Sequence, residues 1–482
     1  MNKSSGITQL LAETGWYGLG GVLARFMGVI STAVLARLLT VMHFGELDFL
    51  LTISSLAIVI ISLRTDQSLM RLYHSATDDN LGRLLFSHLS AVTVAGLVLS
   101  PLTFWLLPTT FIDLTPKQVS ISILRWAAPL VLSGLWFSHI LTLLRASRRA
   151  FSAVLFSSFV VFFHVILSIP LAIKWGVAGV LAARVISETV CSLFVLARNR
   201  KLYVIAFSTG WLMRMLKFGL PLLPYAAIPG VIETWTRYIL IESWGASAVG
   251  LLSIASRVSL VVGVFVGALK ISWLPYAYSQ DISESLKHDQ RLIYDSFLKT
   301  MTFLCLGVMI FSPEIILIVA GRSYLAAAPL TGFLCLAALM QGITHLFNTR
   351  FLYLERSIPV MASSFLGGVV SFLFLIFVVP TAGLIAAAAV PVISSTLNNI
   401  ILYYWPRRGC EKLRLPVGGV IGLTIALSAL TLFAMPWLCK SSILIRIGTG
   451  SALVIIGVLV LRNEISGCWR FLSNKLLKYD NQ

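Results

Sequence analysis

The chain has 482 residues, of which 58% are hydrophobic and only 12% charged, with a formal net charge of +18. Soluble domains carry about 25% charged residues, so this composition excludes a soluble enzyme or binding module. Its six cysteines, Cys191, Cys305, Cys335, Cys410, Cys439 and Cys468, show neither metal-ligand spacing nor a disulfide framework.

In chain order the apolar stretches run over residues 15–38, 47–70, 84–106, 119–143, 150–173, 175–197, 218–241, 246–270, 298–320, 327–349, 358–380, 382–404, 416–438 and 443–461. Most have the length a helix needs to cross about 30 Å of hydrocarbon. Continuous runs of this kind are unlike the short alternating segments of a membrane barrel. The expected fold is therefore an all-α polytopic membrane protein with about 14 transmembrane helices. The first stretch follows Lys3 but is too long for a signal peptide and holds Arg25 at its middle, so it reads as a retained helix. Pro391 predicts a kink in the twelfth span. Ser272–Lys299 predicts a short helix at the membrane surface, with Ile282, Leu286, Leu292, Ile293 and Phe297 among charges.

Charge placement orients the chain. With the N-terminus in the cytoplasm, the cytoplasmic loops and tails hold 24 of the 37 Lys and Arg, the opposite loops five, and eight are embedded. The positive-inside bias therefore predicts two cytoplasmic termini. It also assigns the basic clusters to topology and lipid headgroups rather than to nucleic acid.

A faint internal repeat runs through the sequence. Ala178-Gly179-Val-Leu-Ala-Ala matches Ala382-Gly383-Leu-Ile-Ala-Ala, 204 positions later. Gly45 matches Gly250, and Arg145 matches Arg350, both at an offset of 205. Two parallel six-helix halves follow, at residues 1–201 and 202–405, with 406–482 holding two further helices and a tail. Transporters built this way place their site between the halves, near the midplane.

The eight embedded basic residues are Arg25, Arg37, Arg64, Arg125, Arg184, Arg237, Arg257 and Lys270. Each costs about 2.5–3.5 kcal/mol at a bilayer centre, so together they point to a cationic, water-filled interior suited to an anionic substrate. Arg37, Arg64 and Lys270 lie near span ends and can snorkel. Arg184 with Glu188, and Glu233 with Arg237, are spaced i, i+4 and can pair on one helix face. Arg125, near an outer end, is either an exit-lining residue or an interfacial anchor. Arg25 and Arg257 have no acidic neighbour within a turn and are the candidates for a phosphate, which guanidinium binds bidentately. The ion-coupling candidates are Glu188, Glu233 and Asp66, while His164 reads as a packing residue. No phosphate-binding loop, HExxH motif, nucleophile elbow or large extramembrane loop is present, so no enzyme chemistry, metal or cofactor is expected.

Gly18–Leu39 (GLGGVLARFMGVISTAVLARLL) followed by His43-Phe44-Gly45 resembles the opening helix of bacterial polysaccharide flippases. These belong to the multidrug/oligosaccharidyl-lipid/polysaccharide exporter superfamily. Lys217-Phe-Gly-Leu-Pro-Leu-Leu-Pro224, Arg237-Tyr-Ile-Leu and Val249-Gly-Leu-Leu-Ser-Ile-Ala-Ser-Arg257 are similar to that family's middle region. Trp175-Gly-Val-Ala-Gly179 and Pro313-Glu-Ile-Ile-Leu-Ile-Val-Ala-Gly321 add to the succession, which covers most of residues 8–405.

The resemblance implies two six-helix lobes around a central cavity plus two C-terminal helices. It implies transport of undecaprenyl-diphosphate-linked oligosaccharide (an O-antigen or exopolysaccharide repeat unit) to the outer leaflet of the bacterial inner membrane by alternating access. Arg25 and Arg257 correspond by position to diphosphate-binding cavity residues. The partners it implies are the lipid-linked substrate, membrane lipids, and polymerase and chain-length components of polysaccharide assembly. Two other readings stay open. A drug or small-metabolite antiporter of the same superfamily would call for more acidic residues, and a membrane polysaccharide polymerase or ligase for a larger outer loop.

Overall fold

The computed structural model describes residues 27–76, 78–106, 119–279, 284–353 and 358–405, together with 445, 446, 448, 449 and 451. Among them the secondary structure is helical: α1 (Met27–Leu38), α2 (Val41–Ser62), α3 (Thr65–Leu72), α4 (Asp78–Pro101), α5 (Ile121–Leu124), α6 (Ala127–Ala146) and α7 (Ala150–Arg198) lead the chain. They are followed by α8 (Thr209–Gly219), α9 (Leu223–Trp244), α10 (Ala246–Ser279), α11 (Glu284–Ile310), α12 (Ser312–Val319), α13 (Ala328–Tyr353) and α14 (Ile358–Tyr404). Among the described residues eight helical stretches are long and apolar enough to cross a membrane, and α11 with α12, bent by 63°, makes a ninth. The chain is a multi-pass membrane protein.

Two of those stretches each supply two passes. At 1.5 Å per residue, the 49 residues of α7 and the 47 of α14 exceed twice the hydrocarbon thickness. Each is broken at one glycine with positive φ, Gly176 (φ 57°, ψ −132°) in α7 and Gly383 (φ 64°, ψ −141°) in α14. Only glycine enters this region without strain, so the sequence marks the two turns. The break in α14 falls at Gly383, ahead of Pro391, the residue expected to bend it. The predicted passes from 47 to 404 thus find counterparts, while the last two fall almost wholly outside the described residues.

Span boundaries move in two places. The second span was expected at 47–70, yet α2 starts at Val41, where the Thr40 hydroxyl caps it by accepting the His43 N–H at 3.3 Å. It stops at Leu63 and Arg64, both left-handed (φ 48° and 56°), which cannot continue a right-handed helix. Arg64 therefore sits at a helix break and pairs with Asp66 at 3.4 Å, instead of lying within a span. The separate surface helix expected over 272–299 is also corrected, because α10 runs on to Ser279 and α11, from Glu284, continues directly into the next span.

The residues group into two compact units. The described residues of unit 1 fall within 1–254, 319–324 and 368–387, and those of unit 2 within 255–318, 325–367 and 388–482. Within unit 1, α6 packs on α4, α7 and α2, and α9 packs on α2. The α2–α10 crossing is backbone on backbone. A Cβ at Gly45 would run into the carbonyl of Ala246, and one at Gly250 into the carbonyl of Val41. Val41 and Gly45 stand to Ala246 and Gly250 at an offset of 205 residues, and the contact is reciprocal. Unit 2 packs α11 on α13 around Cys305, whose thiol meets the Cys335 carbonyl at 3.5 Å. There the Asn399 side chain joins Thr344 and the Met340 carbonyl. Large apolar side chains stand exposed along both long helices, among them Ile173, Phe194 and Phe377. In a bilayer such surface faces lipid.

Candidate functional site

Hydroxyl groups inside the spans are mostly neutralised by their own helix. Thr52, Ser55, Thr93 and Ser187 each donate to the carbonyl one turn back. Among the described residues of unit 1, three centres join a buried ionisable side chain to a partner on another element.

The first joins α7 and α6. Glu188 Oε1 accepts from Arg184 Nε at 2.9 Å, and its Oε2 accepts from Ser133 Oγ at 2.7 Å. The i, i+4 spacing brings the charges together as expected. Glu188 is buried, while the Arg184 side chain stays 39% exposed. Both line a cavity of about 200 Å³ with Ser54, Ser55, Ser138, Gly134 and Phe137.

In the second centre, Arg237 is buried in α9 with its Nε 2.6 Å from Asp48 Oδ2 of α2 and its Nη2 3.1 Å from Glu233 Oε1. The i, i+4 pair foreseen with Glu233 forms, but Glu233 is exposed and Asp48 is the buried partner. Glu46, two residues before Asp48, is buried as well. Sequence reasoning missed both carboxylates: a second span started at residue 47 leaves Glu46 outside and puts Asp48 at the span's edge, whereas the Thr40 cap places both inside the helix.

The third centre was not anticipated. His88 Nδ1 and His139 Nδ1 share a hydrogen bond of 2.8 Å, and His139 Nε2 meets the Tyr203 hydroxyl at 2.8 Å. Both imidazoles are buried. Burial pushes the Tyr203 phenol up from its ordinary value. Tyr203 lies in the connection after α7, so the chain of bonds ties that connection to α6 and α4.

The remaining candidates are placed as follows. Arg257 is half-buried in the unit 2 part of α10, and Arg125 is exposed just after α5, where its carbonyl accepts the Trp105 indole N–H at 3.0 Å. Asp66 pairs with Arg64. Arg37 is exposed at the end of α1. His164 contacts Ser168 one turn on at 3.3 Å, as a packing histidine does. Arg25 lies outside the described residues, as does the side chain of Lys270. Among the described residues no group of three or more His, Cys, Asp or Glu is arranged to hold a metal ion.

No curated protein matches the chain in sequence. Solved structures match its fold. A lipid II flippase, MurJ, in an inward closed conformation superposes with a TM-score of 0.70 at 15% identity, covering 93% of this chain and 99% of its own. A mutant of the MATE transporter VcmN of Vibrio cholerae gives 0.57 at 15% identity, covering 83% and 96%. A multidrug/oligosaccharidyl-lipid/polysaccharide superfamily transporter of Pyrococcus furiosus gives 0.56 at 12%, covering 90% and 96%. These likenesses establish the all-helical transporter fold. The model of the polysaccharide biosynthesis protein family matches residues 10–279, more than half of the sequence, and the chain belongs to that family.

Proposed function

We propose that the chain is a flippase that carries undecaprenyl-diphosphate-linked oligosaccharide, an O-antigen or exopolysaccharide repeat unit, from the cytoplasmic to the outer leaflet of the bacterial inner membrane. One observation carries the reading: a member of a polysaccharide biosynthesis family has the multi-pass fold of transporters. A chain of this build can serve polysaccharide synthesis by moving its intermediate. The sugar headgroup is too polar for hydrocarbon, whereas the prenyl tail is at home there. Rocking of two lobes (1–201 and 202–405) moves the headgroup through a wet interior while the tail stays in lipid. Both termini then lie in the cytoplasm, and the polymerase and chain-length components take the product on the far side.

Arg25 and Arg257 are the diphosphate ligands in this reading. Two guanidinium forks match the roughly two charges of a diphosphate. Arg125 lines the exit, and Glu188, Glu233 and Asp66 are the carboxylates available for ion coupling. The reading is tested in the host cell. Loss of the chain should leave lipid-linked oligosaccharide on the cytoplasmic leaflet, and its return should restore surface polymer. Normal surface polymer without the chain would contradict it.

A second reading, a drug or small-metabolite antiporter, is favoured by one observation: the buried carboxylates Glu46, Asp48 and Glu188 in unit 1. Organic cations bind such groups. Resistance to cationic drugs that falls when Glu46 or Glu188 is neutralised, with unchanged surface polymer, would select it.

A further inference from the structure

The cavity beside Arg184 has the composition of a site for an uncharged, hydroxyl-rich ligand. Its polar wall comes from the middle of α2 (Ser54, Ser55), the middle of α6 (Ser138) and the second half of α7 (Arg184, Glu188), and apolar side chains of α2 and α6 line the rest. Arg184 gives only its Nε to Glu188, and its two Nη groups have no protein acceptor among the described residues. Ser54 is only 4% exposed, and its hydroxyl has no hydrogen-bond partner, unlike Thr52 and Ser55 on either side. Ser54 lines the cavity wall, with its hydroxyl just beneath the surface.

Charge decides which ligand. Arg184 and Glu188 neutralise each other at 2.9 Å, so an isolated phosphate meets the Glu188 carboxylate and an organic cation meets Arg184. A sugar ring presents donors and acceptors together and matches guanidinium, carboxylate and hydroxyls at once. Phe137, fixed by stacking on Phe156 with ring centroids 5.3 Å apart, adds an apolar surface for the C–H face of the ring. The volume of about 200 Å³ corresponds to about seven waters at ~30 Å³ each, the order of one sugar ring. An arginine this exposed at mid-span is too costly against lipid, so the mouth opens to water.

We infer that this cavity is a monosaccharide subsite that recognises one sugar of the lipid-linked oligosaccharide. The assignment rests on the flippase reading and adds to it a place where sugar identity is read, separate from the diphosphate ligands Arg25 and Arg257.

The test uses the full chain in lipid nanodiscs and two probes. One is the lipid-linked oligosaccharide that accumulates in host cells lacking the chain; the other, the stripped probe, is undecaprenyl diphosphate, the same lipid without its sugars. Wild-type chain should bind the sugar-bearing probe at least tenfold more tightly than the stripped one. Ser54→Leu and Ser138→Leu, which fill the cavity from different helices, should each abolish that difference and leave the stripped probe's affinity unchanged. Equal binding of both probes by wild type overturns the subsite, as does a difference that survives both substitutions. Two substitutions guard against one that fails to fold, and unchanged binding of the stripped probe certifies each. Failure of wild type to bind either probe strikes the flippase reading itself.

Discussion

Arg237 Nε lies 2.6 Å from Asp48 Oδ2 with both side chains buried, joining α9 to α2 across 189 residues of sequence. Taking one member from a buried pair leaves an uncompensated charge and costs about 3–5 kcal/mol. Asp48→Ala should therefore sharply lower the thermal stability of the detergent-purified chain. Glu233→Ala should change it little, since Glu233 is exposed and surface pairs contribute about 0–1 kcal/mol. Melting curves of the two variants check the ranking, and equal losses would contradict it.

The His88–His139–Tyr203 chain makes a prediction about order. His139 bonds on both sides, so His139→Leu strands His88 Nδ1 and the Tyr203 hydroxyl together, whereas His88→Leu strands His139 Nδ1 alone. At about 1–3 kcal/mol for each stranded group, the central substitution should cost roughly twice as much. Thermal unfolding of the two variants side by side decides it.

The two glycine breaks are alike in backbone but not in surroundings. A Cβ at Gly176 meets nothing within 4 Å, while one at Gly383 would lie 2.8 Å from the Trp244 ring. Both alanine variants should bear the strain of an unfavourable backbone, about 1–3 kcal/mol. Gly383→Ala should bear an added packing cost, and its melting temperature should fall below that of Gly176→Ala.

How much was legible in the sequence follows from which interactions are local. Hydropathy located the passes because lipid demands long apolar runs. The Arg184–Glu188 and Glu233–Arg237 pairs were legible because i, i+4 spacing is a property of one helix. Asp48 was hidden by its distance from Arg237 and by the lowered hydropathy that Glu46 and Asp48 give to the start of α2. His88 and His139 are single histidines on separate helices, and only packing brings them together. Ser54 looks like any serine until the absence of a partner for its hydroxyl is seen. The repeat was read from Gly179 and Gly383, whereas the backbone turns at Gly176 and Gly383; small-residue matches locate a repeat only to within a turn.

The claim that the chain moves a lipid diphosphate is tested most directly by reconstitution. Purified chain in liposomes, supplied with fluorescently labelled undecaprenyl-diphosphate oligosaccharide, should transfer the label between leaflets, read as its accessibility to an external quencher. Arg25→Ala and Arg257→Ala should each slow transfer at least tenfold while inserting normally. Transfer no faster than in protein-free liposomes would contradict the account, and wild-type rates in both variants would remove these arginines from it.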